Sequence, residues 1–206
     1  MPLPRLIVIT DWALGRERVL AVVDAALSVS AEVAVQHRHP DATGRAFLEE
    51  ARALRAVVSR HPGRRLFVNG RLDVALLVDA DLHLPASAPL AAEVRPFLPV
   101  GRLVSAAVHS EEEARAAAGA DLALISPVFP PGSKPEDARV PLGPGGFEAL
   151  RAVLPCPAFA LGGVTAENAG RLSGAAGAAA IGAVMRASDP SRAVAALLAA
   201  LCSAPG

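Results

Sequence analysis

The sequence predicts an α/β fold, a single-domain (β/α)8 TIM barrel over residues 1–206 whose last few residues form a tail. Three observations predict it. A short β-branched or apolar run followed by an Ala- and Leu-rich segment of helical spacing recurs eight times, the pattern of parallel strands joined by right-handed crossovers. The repeat returns about every 25 residues, so 206 residues close most economically as one short barrel. The strands also turn from apolar to polar at their last one or two residues, as a barrel with a filled core and a polar rim should. An open doubly wound sheet is the alternative, and it too would hold a ligand at the C-terminal ends of its strands.

Taken in order, the first run is "LIVIT" from Leu6. The second, "VAVQHR" from Val33, puts Gln36 and Arg38 on one face, with His37 and His39 on the other. His-x-His spacing makes a metal pair conceivable, but neither a carboxylate nor a third ligand is evident beside it. The third run, "RLFVN" from Arg65, leads into Asn69-Gly70. Asn-Gly between apolar runs is the strongest short hairpin signal. In a parallel repeat the chain must instead cross over, and "RLDVALLV", apolar at 72, 74, 76, 77 and 78, suits a short helix. Phe67 and Asn69 share a face, and Asn69 and Gly70 then stand at the rim where barrel enzymes assemble their sites.

The fourth run, "DLHLP" from Asp81, carries His83. The fifth, "LVSAAVH" from Leu103, ends on His109, which shares a face with Ala107. A single His is more often structural than catalytic, but an apolar strand end points to proton transfer by His109. Ser110-Glu111-Glu112-Glu113 reads as a capping box for the next helix.

The sixth run, "LALISPVF" from Leu122, carries Leu124 and Ser126 on one face and opens into a Pro- and Gly-rich loop reaching residue 146. Ser133 and Lys134 in that loop are placed to close over an anionic substrate; the bland reading of Lys134 is a solvated surface charge. "AFALGG" from Ala158 and "AAAIGAVM" from Ala178 end the repeat. Gly162 and Gly163 precede a helix capped by Thr165, and Ile181-Gly182 lies at the corresponding place in the eighth unit. Small residues there let backbone N–H groups approach an anion, so these two turns are the expected phosphate cradle. The competing reading of Gly-Gly is a turn with unusual dihedrals. Asp189-Pro190 opens the last helix.

Composition narrows the partners. Lys plus Arg and Asp plus Glu are both 20, which argues against nucleic acid or an anionic membrane as partner and favours a small ligand. Tyr is absent and aromatics are 3%, leaving little for stacking on bases. The apolar run near the N-terminus is too short for a signal sequence or a membrane span, so the expected location is cytoplasmic. Cys156 and Cys202 read as ordinary thiols.

From "VITD" at 8–11 to "IGAV" at 181–184, nearly the whole chain resembles the superfamily of thiamine phosphate synthase and the TenI-type thiazole tautomerase. "VQHRHPD" is similar to the family's Gln-x-Arg-x-Lys stretch, which gives Gln36 and Arg38 and puts Pro40 at the lysine position. "VNGRLDVAL" matches the third-strand segment with Asn69, and "VHSEEEA" the stretch with His109. "SPVFPPGSKP" resembles the loop that grips pyrophosphate in the synthase, with Ser126 and Lys134. The match implies that Gly163, Ile181 and Gly182 offer N–H groups to a thiazole-side phosphate.

The departures separate two activities. The synthase joins a pyrimidine pyrophosphate to a thiazole phosphate with the help of Mg²⁺, a hard cation that wants carboxylate oxygens. Its two metal carboxylates fall at Gly70 and Ala88 here, and a further serine at Ala107. "NGR" and "LP" at these places, together with "VHS", look like the tautomerase branch. That implies aromatisation of a carboxythiazole phosphate tautomer, with His109 as acid and base and Arg38 and Lys134 on an anionic group. No cofactor is implied, Mg²⁺ entering only with the synthase. The expected partner is a small phosphorylated thiazole, and the superfamily's habit implies a homo-oligomer, dimer or tetramer. Thiamine phosphate synthase stands second, and a non-catalytic protein that binds a phosphorylated metabolite third.

Overall fold

The computed structural model describes residues 2–130 and 140–203. Eight strands, β1 (Leu6–Ile9), β2 (Val33–His37), β3 (Leu66–Asn69), β4 (Asp81–Leu84), β5 (Val104–Val108), β6 (Leu122–Ile125), β7 (Ala158–Ala160) and β8 (Gly177–Ala180), form a closed barrel in chain order. Every pairing is parallel, including β8 with β1, so the open sheet and the Asn-Gly hairpin are both excluded. The helices are α1 (Arg16–Val29), α2 (Gly44–Val58), α3 (Leu72–Leu77), α4 (Ala91–Val94), α5 (Glu111–Ala116), α6 (Gly143–Val153), α7 (Ala166–Ala169), α8 (Gly182–Met185) and α9 (Pro190–Cys202). Among the described residues no helix is long and apolar enough to cross a membrane.

Strand alternation sorts side chains into two shells. Ile7, Ile9, Ala34, Phe67, Leu122, Leu124, Phe159 and Ala179 fill the barrel interior as one buried cluster. Their neighbours in the chain, such as Leu6, Val8, Val33, Val35, Leu66 and Val68, pack under the helices. Size is matched across strands. A Cβ at Gly177 would collide with the Phe159 ring and with the Arg5 carbonyl, so the bare backbone of β8 is what admits that ring.

At the N-terminal end of the barrel Arg65 and Asp81 form a buried pair. Arg65 Nη1 lies 2.9 Å from both carboxylate oxygens, and the Leu103 N–H donates to Asp81 Oδ1 at 2.9 Å. Burial pushes the Asp81 carboxyl up, against the opposing pull of the Leu103 N–H and the Arg65 charge.

Three segments differ from the sequence expectation. The sixth strand stops at Ile125, because Pro127 has no N–H for the ladder; Val128 and Phe129 instead donate to Leu161 O and Gly162 O at 2.9 and 3.0 Å. The loop that follows is shorter than expected, since α6 starts at Gly143 with Pro144 in its first turn. Of the apolar residues expected in α3, Leu76 and Leu77 are exposed, while Val74 goes inward together with Ala75. A six-residue helix presents only one narrow stripe to the barrel.

The two histidines of the second strand also have a partner that the sequence did not reveal. Glu50 of α2 accepts from His39 Nδ1 at 3.0 Å and lies 3.7 Å from His37 Nε2. His37 is not a ligand, however. Its Nδ1 accepts from Trp12 Nε1 at 3.1 Å and its Nε2 donates to Phe47 O at 3.0 Å, so no lone pair is left for a metal. Burial, set against the bond to Phe47, pushes its pKa down to about 4. Since the folded value lies below the unfolded one, stability is complete above about pH 6.5 and is lost as pH falls toward 4. We expect this residue to cost about 2 kcal/mol between pH 7 and pH 5. Chemical unfolding at both pH values should show that difference shrinking in His37→Asn, and an unchanged difference would refute the assignment.

Candidate active site

The inward parity of the strands carries past their ends and builds a cavity of about 730 Å³ at the C-terminal mouth of the barrel. Gln36, Arg38, Asn69, His109 and Ser126 line it from β2, β3, β5 and β6. Gly162, Gly163, Ile181 and Gly182 line it from the turns after β7 and β8. The residues singled out in the sequence thus converge, except Lys134, which with Ser133 lies outside the described residues.

On the first side, polar groups are held from behind. Thr10 Oγ1 accepts the Arg38 backbone N–H at 3.0 Å and donates to the Arg38 carbonyl at 3.2 Å, clamping the chain that projects this arginine. Gln36 is buried; its Oε1 accepts from Asn69 Nδ2 at 3.3 Å, while its Nε2 has no partner. A buried amide donor without an acceptor costs about 1–3 kcal/mol, which an acceptor on a ligand would relieve. His109 lies over the mouth of β5, with Nδ1 2.9 Å from Glu113 Oε2.

His83, only weakly signalled in the sequence, lines the same cavity. Its Nδ1 lies 2.8 Å from Ser105 Oγ, a fully buried hydroxyl directly across the β4–β5 pairing. Burial above all, then the charges of Arg38 and His109, pushes its pKa down to about 3. It is therefore a neutral imidazole at neutral pH.

On the second side, the glycines have a steric explanation. Gly162 and Gly163 take φ of +93° and +60°, and a Cβ on Gly163 would strike the carbonyl oxygens of Pro130 and Phe129. The bland reading of Gly-Gly is thus correct as far as it goes: close approach of residues 127–130 requires it. In α8 the first intrahelical donors are Val184 and Met185, both to Ile181 O, which leaves the Gly182 and Ala183 N–H groups directed out of the helix start. One turn on, Arg186 lines the cavity with its guanidinium on Asp11 Oδ2 at 3.0 Å. No motif marked Arg186, since its position here depends on contact between the first and last loops.

Among the described residues the lining holds Arg38, Arg186 and two histidines but no Asp or Glu. That balance suits an anionic ligand. It does not suit Mg²⁺, which takes carboxylate oxygens. Gly70 has no side chain and a φ of +69°, and no cluster of His, Cys, Asp or Glu able to hold a metal occurs among the described residues.

Comparison with known proteins agrees on the lineage. The family described as thiamine monophosphate synthase, TMP-TENI, matches residues 6–187. A putative thiamine-phosphate synthase of Geobacter sulfurreducens is 39% identical over 203 residues, covering 95% of this chain and 93% of the relative. A thiamine-phosphate synthase of Chloroflexus aurantiacus is also 39% identical, covering 90% and 87%. Among solved structures, the thiamine phosphate pyrophosphorylase of Pyrococcus furiosus superposes with a TM-score of 0.81 at 34% identity, covering 95% of this chain and 94% of that one. These names favour the synthase, the second reading of the sequence, over the tautomerase.

Proposed function

The chain belongs to the thiamine monophosphate synthase family, and on that premise we propose that it is a thiazole tautomerase acting on a phosphorylated carboxythiazole. The observation that carries this reading is the lining of the cavity: an imidazole over the mouth, cationic and neutral donors around it, and no carboxylate among the described residues. Such a set can hold an anion and move a proton, while the described lining gives a hard cation no carboxylate.

In this reading the phosphate lies in the turns after β7 and β8, against the N–H groups of Gly182 and Ala183. Arg38 faces the substrate carboxylate, and the Gln36 amide finds the acceptor it lacks. His109 takes the proton from the ring carbon and delivers one to the exocyclic carbon, so that the ring becomes aromatic with no net gain or loss of protons.

The second reading is thiamine-phosphate synthase, favoured by the names of the relatives at 39% identity. One pair of assays separates the two. Supplied with the tautomer, the protein should produce the ultraviolet absorbance of the aromatic thiazole equally with and without Mg²⁺. A rate no higher than the uncatalysed one would defeat the tautomerase, and pyrophosphate release from the pyrimidine substrate would establish the synthase.

A further inference from the structure

We propose that Glu113 is a positioning residue that holds His109 in the Nδ1–H tautomer and so leaves Nε2 to exchange the substrate proton, an assignment that rests on the tautomerase reading. In an ordinary capping box the third helical residue returns its carboxylate to the N–H of the cap itself. Here the cap works from one side, Ser110 Oγ accepting the Glu113 N–H at 3.2 Å. The returning carboxylate reaches one residue further back. Its Oε2 accepts the backbone N–H of His109 at 2.6 Å and lies 2.9 Å from His109 Nδ1.

The chemistry of the partner decides the tautomer. An ionised carboxylate only accepts, so the proton of a neutral imidazole facing it must sit on Nδ1. With Nδ1 occupied and the ring lining the cavity, Nε2 is the nitrogen left for a ligand. The His109 backbone N–H holds the carboxylate oxygen, and the Ser110 cap holds the Glu113 backbone, so the acceptor is fixed where it meets the ring. The charge matters as well. Among the described residues the other ionisable groups lining this side of the cavity are Arg38 and His83, of which His83 is neutral. Glu113 supplies the opposing negative charge when His109 carries the proton in transit, as the acid of a hydrolase triad does.

The tautomer can be read without substrate. In ¹⁵N-histidine-labelled protein, long-range ¹H–¹⁵N spectra should assign His109 to the Nδ1–H form, with that form lost in Glu113→Ala and kept in Glu113→Gln, whose amide oxygen still accepts but carries no charge. Glu112→Gln, exposed on the same turn, should also keep that form. In the tautomer assay Glu113→Gln should lower kcat by about tenfold or more with little change in KM. An unchanged His109 signal in Glu113→Ala, or a kcat of Glu113→Gln equal to that of Glu112→Gln, would overturn the proposal. If the wild-type protein proves inactive on the thiazole while the tautomer still depends on Glu113, the positioning assignment stands and only the substrate is wrong.

Discussion

Replacing His109 with asparagine is expected to lower kcat for thiazole aromatisation by on the order of 10²- to 10⁴-fold, the usual worth of a positioned acid–base group. Asparagine is close in size, and its amide can still donate to Glu113, so the turn between β5 and α5 should persist. It cannot carry a proton between two carbons. The turns after β7 and β8, proposed to hold the phosphate, are untouched, and KM should therefore move by no more than a few-fold. Initial rates of absorbance change, with circular dichroism to verify the fold, decide the matter. Activity within tenfold of wild type would remove His109 from the chemistry and leave His83, on the neighbouring strand β4, as the imidazole to test.

The second large effect is expected at the opposite end of the barrel, on stability rather than rate. Asp81→Ala should cost about 3–5 kcal/mol, because it leaves the Arg65 guanidinium buried and without its counter-charge. Arg65 Nε already lacks a partner, and Leu103 would lose the acceptor of its N–H. Equilibrium unfolding in urea should show the loss, while kcat at a temperature where the variant stays folded should be nearly unchanged. The double variant Arg65→Met/Asp81→Met should regain much of the loss, since a packed apolar pair replaces a pair that costs desolvation. A single-variant loss below about 1 kcal/mol would mean that the pair contributes little to closing the barrel.

Much of this molecule was legible because barrel geometry is periodic. Alternation along each strand assigned Gln36, Asn69 and Ser126 to the inward face, and the parallel repeat turned Asn69-Gly70 from a hairpin into a strand end; the pairings confirm both. What escaped depends on how far apart in sequence two groups lie when they meet. Arg186 reaches Asp11 across 175 positions, and Glu50 reaches His39 across the turn into α2, contacts to which no local pattern points. Glu113 escaped for another reason: its spacing from Ser110 is fully explained by helix capping, so nothing in the sequence called for a second partner. The start of α6 was hidden by Gly143, Gly145 and Gly146, which favour loop over helix until Phe147 and Leu150 are buried against the barrel.

The cavity is divided along the chain. The residues that would meet the reacting ring come from the strands up to β6, and those that would hold the phosphate from the turns of β7 and β8. Under the proposed function, binding strength and choice of reaction fall in separate stretches of the chain. On that reading, a change such as the glycine at position 70 alters the first stretch and leaves the turns after β7 and β8 as they are.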